Sequence, residues 1–176
     1  MEKSCGRDLY YPMPLARNGR RVAIAVIGAG VCDSRVADTA YEIGRLIAKR
    51  EAILVTGGMS GVMEAASRGA RDAGGLVVGI IPGLDPSAAN PFCNVVIPTG
   101  MGQLRNGLVV QSADAVIAVA GEWGTLSEIG LAVKLGKPVV GWETWELARG
   151  GEPSAEPARA ATAADAVEQA FARIGE

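Results

Sequence analysis

RVAIAVIGAGVCDSRVADTAYEIGRLIAKREAILVTG, residues 21–57, is the stretch whose reading decides the fold. RVAIAVIG (21–28) is an apolar, β-branched run of strand length. A glycine-bearing turn follows, then a segment over 34–50 with apolar residues at helical spacing and basic residues at its end, as a helix C-terminus favours. AILVTG (52–57) is a second strand-length run. Both faces of these runs are apolar, as strands buried in a parallel sheet require. The unit is β-α-β.

The pattern repeats outward from there. Strands are expected at LVVGII (76–81), NVVIP (94–98), DAVIAVA (114–120) and KPVVGW (137–142), with helices over 60–73, 101–112, 124–136 and 163–174 and a loop at GGEPSAEPA (150–158). Such alternation predicts an α/β protein, a mainly parallel sheet of about six or seven strands with helices on both faces. At 176 residues one domain is the natural size, and it is assigned to 21–176. Residues 1–20 carry two prolines, four basic residues and no periodicity, and are expected to be an extended arm suited to a partner subunit.

Composition narrows the chemistry. The chain has no histidine, which removes Ser-His and Cys-His catalysis and every His-bearing metal site, and no metal site is expected. A formal net charge of −2 without a basic run argues against nucleic acid as a partner. No apolar run reaches the roughly 18 residues of a membrane span, and the first residues are too polar for a signal peptide. The three cysteines, Cys5, Cys32 and Cys93, are far apart and odd in number, which suits free thiols and a cytoplasmic location. Lys3, Lys49, Lys134 and Lys137 suggest no Schiff-base site.

In an open α/β sheet, ligands bind beyond the carboxyl ends of the strands. Here those ends carry GAGVCDS (28–34), TGGMSGVME (56–64), PGLD (82–85), PTGMGQLRN (98–106) and GEWGTLSE (121–128). Gly28, Gly30, Gly57, Gly58, Gly61, Gly100, Gly102, Gly121 and Gly124 would let backbone approach a ligand, and a helix start after such a turn attracts phosphate. Neither common fingerprint is present. Asp33 stands where a dinucleotide fold needs its third glycine, and no glycine loop ends in Lys-Ser or Lys-Thr.

Arg105 and Glu128 lie near helix starts on this same rim. Arg105 is read either as a fork for a phosphate or for Glu128, or as a surface arginine near a helix start, where its charge is poorly matched to the dipole. Thr125 and Glu128 have the spacing of a capping box, so Glu128 is read both as a cap and as an acceptor facing a ligand. Ser60 and Thr56 are expected to cap the following helix. Asp33 and Asp85 either meet ligand hydroxyls or bond their own turns, and Trp123 either stacks on a flat ring or covers a core or subunit contact. Glu122 is awkward beside a phosphate unless it faces away or meets a cation.

TGGMSGVMEAASRGARDAGG, GIIPGLD, PTGMGQLRN and SADAVIAVAGEWGTLSEIGLAVKLGKPVV together resemble the Rossmann-like superfamily of three-layer α/β/α proteins that holds the LOG (lonely guy) phosphoribohydrolases and the molybdenum-cofactor carrier proteins. The resemblance spans about Val22 to Val140. It implies that Gly121, Gly124 and Thr125 hold phosphate, and that in a LOG-like enzyme Glu128 is the catalytic carboxylate with Arg105 as its partner. Such enzymes cut the base–ribose bond of a nucleoside 5′-monophosphate. Three departures stand out: Ala120 for the loop proline, Glu122 for the second loop glycine, and Leu104-Arg105-Asn106 for Glu-Arg-Lys.

PGLD and RN are closer to the carrier branch. The expectation is therefore a homo-oligomer, dimer or tetramer, that binds a phosphorylated nucleotide-like or pterin molecule and needs no cofactor for chemistry. The molybdenum cofactor and a nucleoside monophosphate are the candidate ligands, and hydrolysis through Arg105 and Glu128 is the alternative.

Overall fold

The computed structural model describes residues 19–175. The arm expected over 1–20 thus lies outside the described residues except at Gly19 and Arg20.

Seven parallel strands form one sheet. They are β1 (Ala23–Gly28), β2 (Ile53–Thr56), β3 (Leu76–Ile81), β4 (Val95–Pro98), β5 (Ala115–Val119), β6 (Val139–Trp142) and β9 (Ala158–Arg159), in the order β4-β3-β2-β1-β5-β6-β9. The helices are α1 (Ser34–Lys49), α2 (Val62–Asp72), α3 (Asn106–Gln111), α4 (Trp123–Lys134) and α5 (Ala163–Ala172). This is the Rossmann-like α/β/α arrangement.

Side-chain alternation divides each strand between two cores. Ile24, Val26, Leu54, Ile117 and Val140 face α1, α2 and α5. Ala25, Ile27, Val55, Val116 and Val139 face α3 and α4. On the first face α1 and α2 cross at glycines: a Cβ on Gly44 would run into the carbonyl of Ala66, and one on Gly69 into that of Tyr41. Only backbone fits there.

Among the described residues the second face is thinly covered at its β4 edge. Parallel register pairs Val78 with Val95 and Ile80 with Ile97, so Val95 and Ile97 lie on the α3/α4 side, yet they remain 45% and 42% exposed at the sheet edge.

Three expectations need correction. The segment 150–158 is no plain loop: β7 (Ala148–Arg149) and β8 (Glu152–Pro153) form a small antiparallel hairpin, and β9 joins the main sheet beside β6. The helix expected over 101–112 is a 3₁₀ turn, Gly102–Arg105, followed by the short α3. The helix expected from Gly124 begins at Trp123, with consequences for the site.

Candidate functional site

β1 hydrogen-bonds both β2 and β5, so the strand order reverses direction at β1. A cleft of about 490 Å³ opens where the β1 and β5 ends diverge, the switch point at which open α/β sheets receive ligands. Its size suits a nucleotide-sized molecule.

Arg105 and Glu128 meet in this cleft. Both are 6% exposed, and Nη1 of Arg105 stands 4.0 Å from Oε1 of Glu128. The same nitrogen donates to Oδ1 of Asn106 at 2.7 Å, while Nε of Arg105 is buried with no hydrogen-bond partner. Burial pushes the Glu128 carboxyl up to about 7, against the opposing pull of the Arg105 charge. Burial lowers Arg105 from the usual guanidinium range, and Glu128 acts the other way. The pair brings a poorly solvated cation and a proton-holding carboxyl to one wall.

The capping-box reading of Thr125 and Glu128 does not survive. Glu122 is the N-cap of α4, and its side chain makes no capping bond. Thr125 is the third residue of the helix and packs against Gly121, while Glu128 is its sixth residue, three beyond the last orphan amide. With no side chain on those amides, the α4 start keeps its donors beside the cleft.

Ser60 and Thr56 likewise do not cap α2, whose N-cap is Gly61. Ser60 Oγ donates to the Gly30 carbonyl at 2.8 Å, tying two glycine turns together. Thr56 is fully buried with its Oγ1 unpartnered. Asp33 and Asp85 accept from their own turns, at Val36 N (2.8 Å) and Ser87 N (2.9 Å).

The glycines separate into three groups. Gly28, Gly30, Gly57 and Gly124 line the cleft with Arg105, Thr125 and Glu128. Gly58, Gly61 and Gly121 are not among the lining residues and have positive φ, which favours glycine; Gly61 also packs on the Ala29–Gly30 backbone. Gly100 and Gly102 shape the turn after β4, with Gly100 against Leu84. Met59, Met63, Gln103 and Asn106 also line the cleft and escaped the sequence reading. Nothing in residue type or spacing marks a methionine as part of a site.

Trp123 is exposed and tilts on Trp145 with ring centroids 5.0 Å apart. Trp145 Nε1 donates to the Glu122 carbonyl at 3.2 Å, bracing the α4 start. The Glu122 side chain is exposed at the cleft edge. Among the described residues no group of three or more Cys, Asp or Glu could hold a metal, and no helix is long and apolar enough to cross a membrane.

The sheet order and the switch-point cleft define a Rossmann-like α/β protein. The chain belongs to the SLOG cluster4 family, whose model matches residues 21–171. A molybdenum cofactor binding protein from the phototrophic bacterium Rippkaea orientalis is 41% identical, with a TM-score of 0.69 over 72% of this chain and 78% of that one. The molybdenum cofactor carrier protein of Chlamydomonas reinhardtii is 34% identical, with a TM-score of 0.75 over 88% of this chain and 100% of that one. The cytokinin riboside 5′-monophosphate phosphoribohydrolase LOG of Oryza sativa is 34% identical over 114 residues, covering 62% of this chain. This chain spans 47% of that enzyme's length.

Proposed function

We propose that the protein binds a phosphorylated, ring-bearing small molecule in the switch-point cleft, with the molybdenum cofactor as the leading ligand. The observation that carries this is Arg105, a buried cation lining the cleft with its Nε unpartnered, beside a helix start that no side chain caps. Phosphate is taken by amides of the α4 start around Gly124 and Thr125, where the helix dipole favours negative charge. Arg105 forks onto an oxygen of the ligand. Met59 and Met63 supply a soft apolar wall for a ring. The names of the Rippkaea and Chlamydomonas proteins support the choice of ligand.

A second reading is hydrolysis of a nucleoside 5′-monophosphate, and Glu128 favours it. A buried carboxyl that changes protonation near neutrality is suited to general acid–base work at a glycosidic bond. Weighing against it is Ala120, which has φ of +48° where the enzyme pattern has proline. A proline ring holds φ near −65°, so this loop follows a path that the enzyme's proline could not take.

The proposal includes a cytoplasmic homo-oligomer. Among the described residues α3 and α4, with Trp145 and Leu147, cover the second face of the sheet, and the exposed Val95, Ile97, Leu108, Leu131 and Leu135 support a contact with a second copy there.

The deciding experiment pairs thermal melting with a hydrolysis assay. A phosphorylated pterin and a panel of nucleoside 5′-monophosphates are each titrated against wild type and Glu128→Gln. A concentration-dependent rise in melting temperature without base release supports binding. Base release by wild type and none by Glu128→Gln moves the assignment to hydrolase, and no shift with any of these ligands overturns both.

A further inference from the structure

Three side chains meet at the base of the cleft with unequal spacing. Nη1 of Arg105 is 2.7 Å from Oδ1 of Asn106 but 4.0 Å from Oε1 of Glu128. All three residues are buried, at 6%, 7% and 6% exposure. A guanidinium and a carboxylate in direct contact close to about 2.7–2.9 Å, and a dry environment strengthens that attraction. Here the cation takes the neutral amide instead. The guanidinium also lies so close to Gly57 that a Cβ there would run into both of its terminal nitrogens, so Arg105 is held against this backbone and tethered at Nη1.

We infer that Asn106 is a positioning residue of this site: by holding Nη1 of Arg105 it keeps the guanidinium from closing on Glu128, leaving the guanidinium and the Glu128 carboxyl as two separate charged groups on the cleft wall. This rests on the proposed reading of the cleft as a ligand site. A closed Arg105–Glu128 pair would neutralise itself and offer a phosphate or ring neither a free cation nor a free carboxyl. Asn106 is the first residue of α3 and adjoins Arg105 in the chain, so the short helix holds the tether in place.

Few other charges act at this point. Among the residues lining the cleft, Arg105 is the ionisable group facing Glu128 from another element, and Glu122 adds an exposed carboxylate from the start of α4 itself. β1, the β2–α2 turn and the start of α2 contribute Ile27, Gly57, Met59 and Met63, none of them charged. Glu128 therefore reports directly on where Arg105 is held.

The test is the titration of the Glu128 carboxyl, followed by carbon-13 NMR in the ligand-free full chain, for wild type, Asn106→Leu and Asn106→Asp. Melting temperatures are recorded alongside. Asn106→Leu removes the acceptor at similar volume, so Arg105 closes on Glu128 and the midpoint falls from about 7 by about one unit or more. Asn106→Asp keeps an acceptor on Arg105 and adds a second carboxylate, so the midpoint rises. A folded Asn106→Leu protein with an unchanged midpoint, or a fall in the Asp variant, overturns the inference. Should the Leu variant prove unfolded, the sign of the shift in the Asp variant decides. Because no ligand is present, this result stands apart from the melting experiment: a wild type indifferent to pterin and nucleotides would sink the proposed function and leave the titration intact.

Discussion

The guanidinium of Arg105 rests on the bare backbone of Gly57. A methyl group at that position would fall 2.6 Å from Nη2 and 2.7 Å from Nη1 of Arg105, with Sδ of Met63 also at 2.7 Å. Gly57→Ala is therefore expected to displace Arg105 and weaken ligand binding at least tenfold, while overpacking costs about 1–3 kcal/mol of stability. Calorimetric titration with the best ligand and denaturant melts check the two effects separately.

Glu128 should make stability depend on pH. Its ordinary value is 4.5, and in the fold burial raises it to about 7. Between those values the folded protein holds a proton that the unfolded chain has released, so stability falls as pH rises through this window, by about 3 kcal/mol across its span. Below the window this contribution is fully present, and above it the loss is complete. The chain has no histidine, so few other groups titrate there. Urea melts at pH 5 and pH 8 should show the drop in wild type and little of it in Glu128→Gln, which should be the more stable of the two at pH 8.

Ala120 tests the path of the α4 loop. Its amide donates to the Trp142 carbonyl at 3.0 Å, and its φ is +48°. Ala120→Pro loses that bond and cannot adopt the angle, for a cost of about 3 kcal/mol or more. Ala120→Gly relieves a left-handed alanine and is expected to be neutral to about 1 kcal/mol stabilising. Thermal denaturation of the two variants should give opposite shifts.

Gly44 and Gly69 set the approach of α1 and α2. Either residue changed to alanine forces helix backbones apart over a close-packed core, with an expected loss of about 1–3 kcal/mol. Both lie in helices, where alanine is otherwise preferred by about 1 kcal/mol. A destabilised alanine variant in a chemical melt would show that packing outweighs propensity here.

Ile97 tests the open face. Ile97→Glu puts a charge on an exposed edge-strand position, which a monomer should tolerate within about 0.5 kcal/mol but a buried subunit contact should not. Light scattering should report a smaller assembly with secondary structure retained by circular dichroism. An unchanged mass would place any subunit contact elsewhere.

The six longer strands were legible because each is an apolar run of at least four residues, and five of them are buried on both faces; β4 kept the pattern although it lies exposed at the sheet edge. β9, β7 and β8 were not, since two residues are too few to show alternation. At α4 the pattern Thr125-Leu126-Ser127-Glu128 imitates a capping box, but Gly121 at φ +113° and the extended Glu122 start the helix at Trp123. Local spacing competed there with a backbone path set by the preceding strand, and the path prevailed.

Residue types and strand ends alone determined the α/β class, the rim on which ligands are expected, and Arg105 and Glu128 as its principal charges. Tertiary structure decided which glycines face the cleft and which only let chains pass, that Met59 and Met63 form a wall, and that Asn106 rather than Glu128 holds the guanidinium. The reason is physical. Strand and helix patterns follow from periodic burial along the chain, whereas the ionic state of a site depends on distances of a few ångströms between residues far apart in sequence, and on how thoroughly water is excluded around them.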